Sequence, residues 1–259
     1  MTSVTKGGLA SWAPRVVPPI GVDLDLRQEL ACAFRILARG GFGENIAGHI
    51  TVVADDGQSL WINPWGLWWE EVAASDVCRV SFDGAVVEGR WDVTPAAPIH
   101  TELHRARADA RVVIHNHPYH STVLAAVGLL PEIVHQTATL FDGQMVLVEE
   151  YTGEIDTPDL GAELAARIGD ATVAVLANHG VIVTGATIPE ATYRAATIDR
   201  SCRLTVDALL LAQATGRVAH PIAAALRPAM QRSLVERGPA VFWAGAVRAL
   251  LRDDPRVLE

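Results

Sequence analysis

Nine histidines, at positions 49, 100, 104, 115, 117, 120, 135, 179 and 220, are the residues of this 259-residue chain whose spacing could do chemistry. His115 and His117 stand two apart at the end of an apolar run, Val112-Val113-Ile114. If that run is a strand, residues two apart share a face and both imidazoles can reach one ion. His179 ends a second, largely apolar run at 172–177, and Gly180 behind it permits a sharp backbone turn. Sites in α/β proteins lie preferentially beyond the ends of such strands. Three neutral imidazoles with an open coordination position make a catalytic rather than a structural metal centre. A His-x-His pair alone is a weak motif, and the third histidine at another strand end is what strengthens it. The expectation is therefore one divalent ion on His115, His117 and His179.

Other histidines carry less. His100-Thr101-Glu102-Leu103-His104 invites comparison with a metalloprotease helix, because histidines four apart share a helical face. Glu102 is two residues from both, rotated roughly 200° around the helix, so it cannot act as general base beside their shared ion. His100 is expected to face the site, and His104 to pack or be solvated. No Gly-x-Gly-x-x-Gly, phosphate loop or Gly-x-Ser-x-Gly elbow is present. Trp61, Trp65, Trp68 and Trp69 crowd one segment. They are expected to fill core and subunit contacts, with a flat wall for an aromatic substrate as the alternative.

The elements that must position these residues are legible from periodicity and punctuation. Residues 1–23, with Gly7-Gly8, Pro14, Pro18 and Pro19, read as an irregular arm. Leu26, Leu30, Phe34 and Leu37 predict a helix over 24–39, stopped by Gly40-Gly41. Short β-type runs follow at 50–53, 60–62, 78–82 and 86–87. Asp56-Gly57 and Asp83-Gly84 predict hairpin turns, hence an antiparallel region. Pro98 opens a helix to about 108. Further helices are predicted at 120–127, 159–168 and 189–215, and strands at 112–114, 146–148, 172–177 and 181–183. The tail, 221–251, reads as helical with breaks at Pro228 and Gly238-Pro239. One α/β domain over 24–216 with a helical extension at 217–259 is the economical reading.

Lys and Arg total 21 against 30 Asp and Glu, a net charge of -9. That excludes the usual nucleic-acid binder, which concentrates positive charge, and gives no support to binding an anionic membrane. Cys32, Cys78 and Cys202 are widely spaced and odd in number, so free thiols are expected rather than a disulfide framework or cysteine-based zinc site. Residues 1–19 lack a basic region followed by an apolar run, and no stretch approaches 18 apolar residues. The expected setting is the cytoplasm, the expected partner a small-molecule substrate.

Several blocks together carry a resemblance. Gly48-His49-Ile50-Thr51, Asn63-Pro64-Trp65-Gly66, residues 100–107 and 109–117, and Ala177-Asn178-His179-Gly180 resemble the class II aldolase/adducin family in kind and order, over about 25–216. The resemblance implies a three-layer α/β/α fold with a central mixed, largely antiparallel sheet, and a homotetramer with sites at subunit interfaces. It also implies zinc on His115, His117 and His179, with manganese or iron as alternatives. Chemically it implies a metal acting as Lewis acid on substrate oxygens and stabilising an enediolate.

The departures narrow the substrate. Family aldolases carry a Ser-Ser-Glu segment whose glutamate ligates metal and shuttles protons; here residues 94–96 read Thr-Pro-Ala. The family's phosphate-binding Asn corresponds to His49, and a small hydroxyl residue to Trp65. A sugar phosphate is therefore not the expected substrate. The chemistry that survives is decarboxylation or aldol cleavage of an unphosphorylated hydroxy-carbonyl or hydroxy-aromatic acid. His100, His49, Tyr119 and His120 are the candidates to move its proton. Two other readings stay open: a non-catalytic adducin-like binding module and a non-haem iron oxygenase.

Overall fold

The computed structural model describes residues 14, 16–150 and 153–259; residues 1–13 and 15, within the expected arm, lie outside the described residues. Helix α1, Leu26–Arg39, begins at Asp25, whose carboxylate accepts the Gln28 N–H while Gln28 returns a bond to the Asp25 N–H. This reciprocal cap satisfies two of the backbone donors that a helix start leaves unpaired. Thr157 and Thr187 cap α4, Pro158–Ile168, and α5, Ile188–Thr215, and each of these helices has a proline in its first turn. Helices α2, Pro98–Ala106, and α3, Tyr119–Ala126, flank the His-Asn-His segment.

The strands are β1 His49–Val53, β2 Ser59–Ile62, β3 Cys78–Ser81, β4 Val86–Glu88, β5 Val112–Asn116, β6 Met145–Val148, β7 Val173–Leu176 and β8 Gly180–Gly185. They form one sheet ordered β4-β3-β2-β1-β5-β8-β7-β6. All neighbours run antiparallel except β6 and β7, which are joined through α4 and run parallel. Gly57 and Gly84 take φ of 63° and 86° in the two Asp-Gly turns, as hairpins of this kind require.

Alternate residues of the central strands feed two cores. Val112, Ile114, Val181 and Val183 join α1, α5 and the C-terminal helix on one face. Val113 and Ile182 join α2 and α4 on the other. That is the three-layer arrangement of a mixed, largely antiparallel sheet. It also explains why the central strands read as continuous apolar runs: both faces are covered. His115 has the parity of Val113, so it projects to the side of α2.

Two expectations are corrected. The tail does not break at Gly238-Pro239: α6 runs unbroken from Arg227 to Asp253. A single proline removes only one N–H bond, and Trp243, Ala244, Val247 and Leu250 bury the following turns in the main core. Gly238 allows the close pass, since a Cβ there would lie 2.5 Å from the Tyr193 ring. The break expected at Pro228 is present as a boundary: a 3-10 turn, Ala224–Leu226, gives way there to α6, whose first turn Pro228 occupies. The second correction concerns the turn before Gly180. The left-handed backbone is taken by Asn178, φ 56°, a residue type that tolerates it. Gly180 serves clearance instead: a Cβ would lie 2.5 Å from the Asn116 carbonyl oxygen and 2.6 Å from His117 Cδ2.

Among the described residues no helix is long and apolar enough to cross a membrane.

Candidate metal centre

His115 lies in β5, His117 follows its last residue, and His179 closes the Ala177-Asn178-His179 loop between β7 and β8. Because β8 pairs with both β5 and β7, the two strand ends meet. The three ring centroids form a near-equilateral triangle, 4.9 Å from His115 to His117, 4.8 Å from His115 to His179 and 4.9 Å from His117 to His179. One nitrogen from each ring lies within 4.8 Å of the others. Tetrahedral zinc would set such nitrogens about 3.3 Å apart, a closure within reach of small ring rotations.

The opposite nitrogens are already committed. His115 Nδ1–H donates to the Val181 carbonyl at 3.1 Å, and His117 Nδ1–H to Glu44 Oε2 at 2.6 Å. Such outer bonds fix which nitrogen carries the proton and turn the other lone pair inward. His117 Nε2 is buried and without a hydrogen-bond partner among the described residues. A buried polar atom left unpaired costs free energy, and a cation between the three rings would supply its partner. Burial holds His115 well below the usual imidazole range, with the neighbouring His49, His117 and His179 rings adding to the effect. Burial, then His117, lowers His179 to about 4. Both rings are therefore neutral near pH 7, the state that binds metal without first releasing a proton. The donor set fits a divalent ion of the zinc, iron or manganese kind.

Glu44 escaped the sequence reading. It sits in the turn after α1, where Asn45 takes φ 49°, and no motif marks it. Its partner is 73 residues away. Glu44→Ala should weaken zinc affinity by about 10- to 100-fold while leaving the fold intact, as a chelator competition assay would show. Unchanged affinity would remove Glu44 from the centre.

His49 and His100 both join the cluster's surroundings. His49 faces His115 across the β1–β5 pair, ring centroids 5.4 Å apart. Its Nδ1 lies 3.2 Å from His100 Nε2. The backbone before it is held by Asn63, which donates to the Gly48 carbonyl and accepts the Ile50 N–H, and by Trp69, whose indole N–H donates to the same carbonyl. Gly48, φ 101°, lies so close to Asn116 that a Cβ would come within 2.6 Å of its amide carbon. Thus the separate blocks Gly48-His49, Asn63-Pro64 and His115-Asn116-His117 pack as one unit.

Tyr119 and His120 touch each other edge-on at 5.1 Å, and Tyr119 is largely exposed. Among the hydrogen bonds of the described residues, none joins either to His49, His100, His115 or His117. Glu102 pairs with Arg105 and lies against Gly161 of α4, turned from the cluster as its helical angle requires. Trp69 is buried against Phe34 and Phe42, Trp61 lies beneath Arg27 and Arg79, and Trp65 and Trp68 are exposed.

His104 is neither solvated nor merely packed: it is buried between Thr51 and the Ala110 carbonyl. Burial pulls its pKa down to about 4. The unfolded chain, near the ordinary value of about 6.5, then takes up the proton first. This contribution to stability is complete above pH 6.5 and is lost as pH falls toward 4. It amounts to on the order of 3 kcal/mol. Urea midpoints should fall across that window, and His104→Gln, which does not titrate, should flatten the slope.

Known proteins share the fold and much of the sequence of this chain. Residues 28–206 match the family described as Class II Aldolase and Adducin N-terminal domain. The chain is 32% identical over 192 residues to the decarboxylase NovR of Streptomyces niveus, covering 72% of this chain and 69% of that protein. It is 33% identical over 199 residues to a protein of Streptomyces roseochromogenus subsp. oscitans named 4-hydroxy-3-prenylphenylpyruvate oxygenase/4-hydroxy-3-prenylbenzoate synthase, covering 75% and 70%. Its fold matches the L-fuculose 1-phosphate aldolase of Glaciozyma antarctica PI12 with a TM-score of 0.77 at 25% identity, covering 90% and 92%. Class II aldolases use a divalent metal, and this chain has a histidine cluster that could bind one. The chain belongs to the class II aldolase and adducin family.

Proposed function

We propose that this chain is a divalent-metal-dependent carbon–carbon lyase, a decarboxylase or aldolase, acting on an unphosphorylated hydroxy-carbonyl or hydroxy-aromatic acid. The observation that carries the reading is the convergence of three imidazoles, His115, His117 and His179, with one nitrogen of each within 4.8 Å of the others. The ion, zinc first and manganese or iron as alternatives, would supply a Lewis acid for the substrate's oxygens. The protein's own contribution is to hold the three rings, through Val181 and Glu44, and to keep His49 beside them.

Residues 94–96, where resemblance puts the aldolases' glutamate, are Thr-Pro-Ala, and Thr94 Oγ1 is taken up by the Ala96 N–H. His49, with His100 behind it, is therefore the group we assign to proton movement, with Tyr119 and His120 as the more distant candidates. The name of the decarboxylase relative supports loss of carbon dioxide, and the name of the second supports an oxygenase as the rival chemistry. An adducin-like module without catalysis would have no use for imidazoles whose burial carries a desolvation cost.

Carbon dioxide release from carboxylated hydroxy-aromatic and hydroxy-carbonyl compounds under anaerobic conditions, against a His117→Ala control, separates these. Anaerobic release supports the lyase, release only with oxygen supports the oxygenase, and a metal-free folded protein supports the module. We further propose a homotetramer, for which the exposed Leu209, Leu210 and Leu211 offer apolar contact surface. Residues 24–216 are proposed as the catalytic unit, braced by 217–259 through Trp243, Val247 and Leu250. Three buried free cysteines suit a reducing cytoplasm.

A further inference from the structure

A single file of hydrogen bonds leads along one face of the sheet, from the start of β5 to the edge of the cluster. His104 Nδ1 lies 2.6 Å from the Ala110 carbonyl oxygen, and His104 Nε2 lies 2.8 Å from Thr51 Oγ1. Thr51 Oγ1 is also 2.8 Å from His100 Nδ1, and His100 Nε2 is 3.2 Å from His49 Nδ1. The side chains come from β1 and α2, which the fold lays against each other, and His100 is fully buried.

The direction of every bond follows from one end. A carbonyl oxygen can only accept, so His104 donates from Nδ1. A neutral imidazole has one donor and one acceptor, so His104 Nε2 accepts the Thr51 hydroxyl proton. The threonine oxygen, its proton committed, accepts from His100 Nδ1–H. His100 Nε2 then accepts from His49 Nδ1–H. No carboxylate takes part in these bonds, and a protonated ring in the file would be a buried charge without compensation. The last atom of the file is His49 Nε2, left with a lone pair and no proton. His49 borders the cluster, its ring 5.4 Å from that of His115.

We propose that Thr51, His100 and His104 are positioning residues that lock the His49 proton on Nδ1, so that Nε2 accepts a hydrogen bond from a substrate hydroxyl and disfavours an ionised phosphate. This rests on the reading of His115, His117 and His179 as the metal centre only for where the substrate sits. It deepens that reading by naming the group the substrate presents: a hydrogen-bond donor beside its metal-facing oxygens. It also gives a physical reason for an unphosphorylated substrate, since a lone pair and an oxyanion repel.

The test is a long-range proton–nitrogen correlation spectrum of nitrogen-15-labelled, Zn²⁺-loaded protein, with glycolate as hydroxyl-bearing probe and acetate and sulfate, a fully ionised tetrahedral oxyanion, as controls. The wild type should show His49 protonated on Nδ1 alone. Glycolate should shift the Nε2 resonance in the direction of an accepted hydrogen bond, and acetate and sulfate should not. Thr51→Val, which keeps the shape and removes the hydroxyl, should release the file, mix the two His49 tautomers and weaken glycolate binding by roughly five- to tenfold. Thr51→Ser should restore both. A wild-type His49 protonated on Nε2, or a tautomer indifferent to Thr51→Val, would overturn the proposal. Zinc content measured on the same samples keeps the two readings apart: the wild-type tautomer is decided whether or not zinc binds, and loss of zinc in the wild type would count against the metal centre alone.

Discussion

Replacing His115 with alanine is expected to take the metal content of the purified protein from about one ion per chain to less than a tenth of that, and lyase activity with it. Two candidate ligands remain in the variant, His117 and His179, on different loops, and the Val181 carbonyl loses the His115 donor. Ligand binding to the folded state alone stabilises it. With Zn²⁺ at a hundredfold excess over its dissociation constant, the gain is about 2.7 kcal/mol. For a chain of this size that corresponds to a rise in melting temperature of roughly 5–10 °C. The wild type should show that rise and His115→Ala should not. Because His115 is buried, the variant also loses packing, so its far-ultraviolet circular dichroism must match that of the wild type before the metal result is read. A variant that folds and still holds stoichiometric zinc would refute the assignment of His115.

The second large effect is expected at a residue that binds nothing. Gly180 opens β8, opposite the end of β5, and the added methyl group of Gly180→Ala would lie 2.5 Å from the Asn116 oxygen and 2.6 Å from His117 Cδ2. One of those atoms belongs to the backbone and the other to a candidate ligand ring, so neither can yield without cost. Asn116 is itself tied down, donating to the Phe42 carbonyl and accepting the His117 N–H. Overpacking of this kind costs about 1–3 kcal/mol, and the strand ends must part, carrying His117 away from His115. Gly180→Ala should lower the urea midpoint and weaken zinc binding by at least tenfold. Asn178→Ala, at a position of left-handed backbone, should cost about 1–2 kcal/mol with a smaller effect on zinc. Equal effects on zinc would show that clearance at Gly180 is not what sets the geometry.

These two sites mark how far the sequence could be read. His115, His117 and His179 were accessible because strand parity is local: two residues apart means one face, and an apolar run ending in a histidine predicts where that face opens. The Gly40-Gly41 helix stop, the Pro98 helix start and the Asp-Gly turns were legible for the same reason. What escaped depends on partners distant in the chain. Glu44 reaches His117 across 73 positions, and Thr51 meets His100 and His104 across 49 and 53. Neither distance leaves a periodicity behind. Gly180 was legible as a glycine but not as a clearance, since the atoms it clears lie on another strand. Gly238-Pro239 reads locally as a break, and it is overruled because burying Trp243, Val247 and Leu250 outweighs one missing backbone bond.

The most direct test is X-ray absorption at the edge of whichever metal elemental analysis finds in protein purified without added metal. An inner shell containing three imidazole nitrogens at about 2.0–2.1 Å, losing at least one of them in His179→Ala, is the predicted spectrum. A shell of sulfur or of oxygen alone, or a folded protein with no metal, would contradict it.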